Sequence, residues 1–225
     1  MHLLTFIKIF HLVGLIMGFG GAVLLDLTIF KHGVLRPISQ YTIHQTELLS
    51  RFVTWGLILL WGTGFGLIAI NLIDKPEYLT NQKLWAKMAI VVLLTINGVF
   101  VHNRVLPILR QKVGQRIFEM AKKRETLLLT LVGSVSFVSW TTPFVLGKAS
   151  ELNYVTPMWV IMAAYFAAVF AIWAIMFVIM SSVSKLQSFA RKAANATLQH
   201  SSSWENMAPA NLYKMKTSKI ETRVA

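Results

Sequence analysis

The chain has 225 residues, 55% of them hydrophobic, with no cysteine and a formal net charge of +13. A mean hydropathy of +0.59 argues against an ordinary soluble domain and for a polytopic membrane protein, and the lack of cysteine excludes disulfides and thiolate metal sites. In such a chain the basic excess reads as loops facing anionic lipid rather than as a nucleic-acid surface, for which no motif is present.

Five apolar stretches follow one another, at about 3–30, 48–73, 84–107, 127–146 and 158–180. Each is long enough to span a bilayer and none alternates like a strand. Backbone groups in lipid must be satisfied within their own segment, so the expectation is an all-α integral membrane protein: a five-helix bundle over 1–181 and a basic, partly disordered tail over 182–225. The first stretch is too long, and its basic flank too slight, for a cleavable signal peptide. With the N-terminus outside, Lys31, Arg36, Arg110, Lys112, Arg116, Lys122, Lys123, Arg124 and the basic tail all fall in the cytoplasm, against Lys75, Lys83 and Lys148 on the other face. That asymmetry predicts a multi-pass inner-membrane protein, N-terminus outside and C-terminus cytoplasmic.

The first span, KIFHLVGLIMGFGGAVLLDLTIFKH, carries His11 and His32 twenty-one residues apart, roughly 31 Å along a helix and so at opposite membrane faces. Gly14, Gly18 and Gly21 clear one stripe of it for close approach, and Gly62 and Gly66 of GTGFG in the second span are the expected partners. RPISQYTIHQTELLSR is expected to be an interfacial helix that starts after Pro37, runs into the second span and is capped through Thr46 and Glu47. In the fourth span Pro143 is expected to kink or end the helix, with nearby Ser and Thr hydroxyls replacing lost bonds. The fifth, whose one ionisable group is Tyr165, reads as lipid-facing scaffold. The juxtamembrane KLQSFARKAANATL reads as a short amphipathic helix at the inner surface.

Charged groups inside spans are costly and therefore candidates for function. His11 lies too deep to snorkel; it is either bonded to a helix carbonyl or to Asn71, or it is a metal ligand or proton carrier. Lys87 either snorkels or has a buried role, Lys83 is expected to snorkel, and Asp26 is expected to pair with Arg51 or Arg104. His32, His44, His102 and Glu47 form a possible inner set of ligands of the type that zinc, iron and haem iron prefer. His11 and His102 differ in depth by about 16 Å, too far to share one iron. A bis-histidyl haem would thus use the inner trio, whereas an outer haem would use His11 with Met17, Met88 or an open position.

FHLVG in the first span, a histidine twenty-one residues on, and WAKMAIVVLLTINGVFVHNR in the third together resemble the HemJ-type membrane protoporphyrinogen oxidases and the wider copper resistance protein D-like group, over roughly the first 110 residues. The resemblance implies a haem b-binding membrane oxidoreductase acting on a porphyrinogen or passing electrons to a quinone. It sets His11 and Lys87 at the family's first-span histidine and third-span lysine, with Arg104 near its arginine, so that Lys87 and Arg104 are the catalytic candidates and His11 a cofactor candidate; His102, His44 and His32 are cofactor candidates through the inner ligand set alone. It differs in having five spans rather than four, a long tail, Trp85 out of register and His102 unmatched. Two rival readings remain: a copper or small-solute permease using His11, Met17 and Met88, and a non-catalytic subunit docking a partner through its basic tail. A homo-oligomer or a complex subunit is expected in either case.

Overall fold

A computed structural model of the chain describes residues 2–117 and 123–207, and among these it is all-helical apart from an isolated bridge between Ile38 and Val113. The helices are α1 (His2–Val34), α2 (Gln40–Asp74), α3 (Gln82–Phe100), α4 (Leu106–Gln111), α5 (Lys123–Lys148) and α6 (Met158–Met207). A π-helical turn, Val101–Val105, joins α3 to α4. Five helical runs are long and apolar enough to cross a membrane: Leu3–His32, Gln40–Asp74, Gln82–Gln111, Lys123–Lys148 and Met158–Gln199. Large apolar side chains such as Ile16, Phe65, Phe166 and Phe170 face outward, as a surface bathed in lipid requires. The chain divides into two units, Met1–Ser184 and Lys185–Ala225. In the second, the chain is helical through Met207 and its side chains to Gln199 are mostly exposed; the disordered end expected for the tail lies outside the described residues beyond that point.

α1 and α2 run antiparallel in close contact, and the reason is glycine. A Cβ on Gly56 would stand 2.5 Å from the Gly18 nitrogen and 2.8 Å from the Gly14 carbonyl oxygen, so the two backbones touch there. The glycine stripe of the first span is therefore used as expected, but its partner is Gly56. Gly62 has open space around it and Gly66 faces only Ile7, because the two helices cross about two turns earlier along α2 than GTGFG would have them cross. The indole of Trp140, from α5, fills the space over Gly18. Ala22, Leu60, Leu94 and Trp140 form the central packing cluster where the first four spans meet.

The segment 37–50 runs into the second span as expected: from Gln40 it is the start of α2, continuous with the span. Its cap is Ser39, whose hydroxyl accepts from the Thr42 amide in a capping box, rather than Thr46 and Glu47. Thr46 lies one turn inside and donates to the Thr42 carbonyl, while Glu47 pairs with Arg110. Pro143 does not end α5, which runs on to Lys148; Thr141 and Thr142 donate to the Phe137 and Val138 carbonyls beside it. At the other break, Pro107 supplies no amide, and the Leu106 amide reaches back to the Val101 carbonyl, five residues earlier, in the π turn.

α6 is more than lipid-facing scaffold. Ile161, Tyr165 and Val169 are buried against Ala86 and Ile90 of α3 and Val138 of α5. The Tyr165 hydroxyl is 2.8 Å from that of Ser139, which is fully buried. Tyr165→Phe would strand the Ser139 hydroxyl, and a loss of about 1 kcal/mol is expected; thermal unfolding in detergent would read it as a lowered midpoint, and Ser139→Ala combined with it should recover part of the loss.

Candidate functional site

His11 bonds Thr63 of α2, not Asn71 two turns further on. Its Nδ1 is 2.8 Å from the Thr63 hydroxyl, and that hydroxyl donates its own proton to the Leu59 carbonyl at 2.6 Å. Thr63 must then accept from His11, so in the neutral ring Nδ1 carries the proton and Nε2 keeps a free lone pair. Asn71 is occupied elsewhere, donating to the Leu67 carbonyl. The ring edge lies beside Gly64, where a Cβ would stand 3.9 Å from Cε1, so GTGFG serves to keep the α2 surface near the imidazole flat. Met17 is six residues further along α1, about 9 Å of rise away.

Lys87 is half-buried and sits within electrostatic range of His11 and of Lys83. It makes no hydrogen bond or ion pair among the described residues. Lys83 behaves differently from the expectation: it does not snorkel but is 4% exposed, and its ammonium donates to the Ala149 carbonyl and, at 2.9 Å, to Asn153 Oδ1. Asn81, which caps α3 through the Lys83 amide, also accepts from the Tyr154 amide. Lys83 is thus the clasp between the start of α3 and the loop after α5. Lys87, one turn on, is left as the cation facing His11.

The inner ligand set does not assemble. His32 spends both nitrogens on the turn between α1 and α2, Nδ1 donating to the Pro37 carbonyl at 3.0 Å and Nε2 facing the Thr42 hydroxyl at 3.4 Å. His44 is exposed, and its imidazole makes no hydrogen bond among the described residues. His102, exposed on the π turn, has Nε2 at 3.1 Å from Ser50 Oγ and 3.4 Å from Thr54 Oγ1. Glu47 is held by Arg110 at 2.6 Å. Among the described residues no group of three His, Cys, Asp or Glu side chains is placed to hold a metal ion. His11 and His102 are separated, through their α2 partners Thr63 and Thr54, by nine residues or about 14 Å, in line with their expected difference in depth. Arg104 is exposed and makes no ion pair among the described residues.

Asp26 is the largest departure. Neither Arg51 nor Arg104 bonds it; both are exposed, and the carboxylate takes part in no hydrogen bond or ion pair among the described residues. It lines a cleft of about 300 Å³ between α1, the π turn, α5 and α6, with Thr130, Gly133, Ser134 and Met176 opposite. A second cleft, of about 250 Å³, is lined by His102, Thr54, Trp61 and Trp140. Leu25, Val101 and Ser136 border both and form the wall between them.

Thr63 and Gly64 belong to the His11 site, yet both sit in a motif readable only as packing; Thr63 being fifty-two residues from His11, nothing local marks the pair. Comparison with known protein families, with curated proteins and with solved structures gives no match to this chain.

Proposed function

We propose that the protein is a membrane-embedded redox protein that holds one haem b or related porphyrin through His11, in the manner of the HemJ-type and copper resistance protein D-like group that its first 110 residues resemble. The observation that carries this reading is the His11 imidazole, anchored through Nδ1 on the Thr63 hydroxyl; a neutral ring protonated at Nδ1 would leave Nε2 to ligate iron, its orientation fixed by the threonine. Lys87, a cation without a partner beside it, suits a propionate or another carboxylate of the macrocycle. Haem would supply one-electron chemistry there, with a porphyrinogen as electron donor and a quinone as acceptor. The chain's own residues orient the ring ligand, offer a counter-charge and keep the α2 surface flat at Gly64. A bis-histidyl site from His32, His44 and His102 draws no support from their separate engagements.

The basic residues favour an inner-membrane protein with the N-terminus outside, which puts His11, Lys87 and the Lys83 clasp on the outer half. The protein purified in mild detergent is expected to show a Soret band that sharpens on reduction or to take up added haem. His11→Ala should lose the band, and Lys87→Ala should weaken haem uptake roughly tenfold, about 1.4 kcal/mol, while Lys87→Arg retains most of it. A colourless protein that takes up no haem, or an unchanged band in His11→Ala, would overturn the reading. Copper accumulation in cells, lost on His11→Ala with no haem spectrum, would instead favour the permease.

A further inference from the structure

We propose that the cleft around Asp26 is a binding site for an organic ammonium ion, a protonated amine on a compact apolar body. The site is separate from His11, since Asp26 is fifteen residues along α1, about 22 Å from it, and it does not rest on the haem reading.

The first reason is charge. A carboxylate within a membrane span is costly unless it meets a proton, a cation or a hydrogen-bond donor, and among the described residues none gives Asp26 a cation or a donor. Its two nearest arginine candidates face outward. The charge is left to be met from outside the chain, by a proton from solvent or by a cation that the cleft admits.

The second reason is the polarity of the remaining groups. The Thr130 hydroxyl donates to the Thr126 carbonyl at 2.8 Å, and the Ser134 hydroxyl donates to the Thr130 carbonyl at 2.8 Å. With their protons committed to α5, these oxygens can offer the cleft only lone pairs, and an ionised carboxylate is likewise acceptor-only. Ser136, on the wall shared with the second cleft, has a hydroxyl that can turn either way. The cleft therefore selects a donor. An ammonium group brings up to three N–H donors, no acceptor, and the charge that Asp26 lacks.

The third reason is the rest of the lining. Leu25, Phe30, Leu129, Phe137 and Met176 are apolar; the two phenylalanine rings can accept a cation on their faces, and methionine adapts to the shape of a hydrophobic guest. A bare inorganic cation wants six or more oxygens, which this cleft does not gather. About 300 Å³ falls at the lower end of small-ligand sites, enough for a compact amine. Gly133 makes room for the head group: a Cβ there would be 4.0 Å from Asp26 Oδ1 with nothing nearer.

The test is binding of radiolabelled 1-adamantylammonium to the full-length protein in lipid nanodiscs. Saturable one-site binding is expected, resistant to added sodium chloride and not displaced by the neutral isostere 1-adamantanol. Asp26→Asn, folded as judged by its melting curve, should lose at least about tenfold in affinity. Gly133→Leu, which leaves the charge but fills the space in front of it, should lose binding as well, and it decides the matter if Asp26→Asn does not fold. Uptake that never saturates, displacement by the alcohol as readily as by the amine, displacement by sodium, or undiminished binding in Asp26→Asn would each overturn the proposal. The alcohol and sodium arms need no variant.

Discussion

Gly56→Val is expected to leave no correctly folded bundle, whereas Gly62→Ala, six residues away on the same helix, should fold normally. At Gly56 an added Cβ meets the Gly18 nitrogen at 2.5 Å, the Gly18 Cα at 2.8 Å and the Gly14 oxygen at 2.8 Å. All three are backbone atoms, so no rotamer change relieves the clash. α1 and α2 must move apart, and with them the contact of Trp140 over Gly18 and the His11–Thr63 bond. Overpacking in a core that can yield costs about 1–3 kcal/mol; here the neighbours cannot yield, and a loss of about 3 kcal/mol or more is expected. At Gly62 nothing stands within 4 Å of the added atom. Fluorescence-detected size-exclusion profiles of the two variants, followed by thermal unfolding of whatever is monodisperse, would read the contrast; equal profiles would show that the helices do not cross at Gly56.

Lys83→Met should be the next most damaging change, and should cost more stability than Lys87→Met. Lys83 has four-hundredths of its surface exposed, and it holds the Ala149 carbonyl and Asn153 together against the N-terminus of α3. Methionine keeps the bulk of the stem but removes a charged donor from two acceptors, at a cost of about 2 kcal/mol. Lys87 has no such partners, so its replacement should leave the melting midpoint nearly unchanged while affecting haem uptake. Thermal unfolding separates stability from haem binding, and faster amide exchange over 149–154 in Lys83→Met would locate the damage at the loop. A Lys83→Met protein as stable as the parent would return this lysine to the headgroup role that its position near a helix start implies.

The helices were legible because their signal is local. Each apolar run is long enough to cross a bilayer, and the structure extends the runs without moving them: 48–73 becomes Gln40–Asp74 and 84–107 becomes Gln82–Gln111, while 3–30 and 158–180 gain only at their C-terminal ends. The partners of polar groups were not legible, because these depend on which faces meet. A glycine stripe announces a close approach without saying where along the neighbour it falls, and so Gly56, an isolated glycine, was overlooked in favour of the denser GTGFG. Lys83 near a helix start looks like a snorkelling lysine unless the loop sixty-six residues on folds back over it. Asp26 was given an arginine on the rule that buried charges pair, and the rule fails where a cleft stands in place of the partner. The partner of His11 is neither a helix carbonyl nor Asn71, and the threonine that holds it, fifty-two residues away, carries no mark in the sequence.

The π turn at Val101–Val105 bears on how the third span tolerates change in length. A π turn closes five residues back rather than four, and is in effect an α-helix holding one residue in excess. The two halves of the span are therefore out of phase with one another by about 100°. α3 presents Ala86, Ile90 and Leu94 inward in one phase, and Leu106 and Leu109 are buried in the other. Losing a single residue there would restore a regular helix and rotate everything beyond it, carrying Leu109 toward lipid and Arg110 away from Glu47. The span is thus indexed by residue count as well as by hydrophobicity, and a one-residue deletion would act on it as a rotation rather than as a shortening.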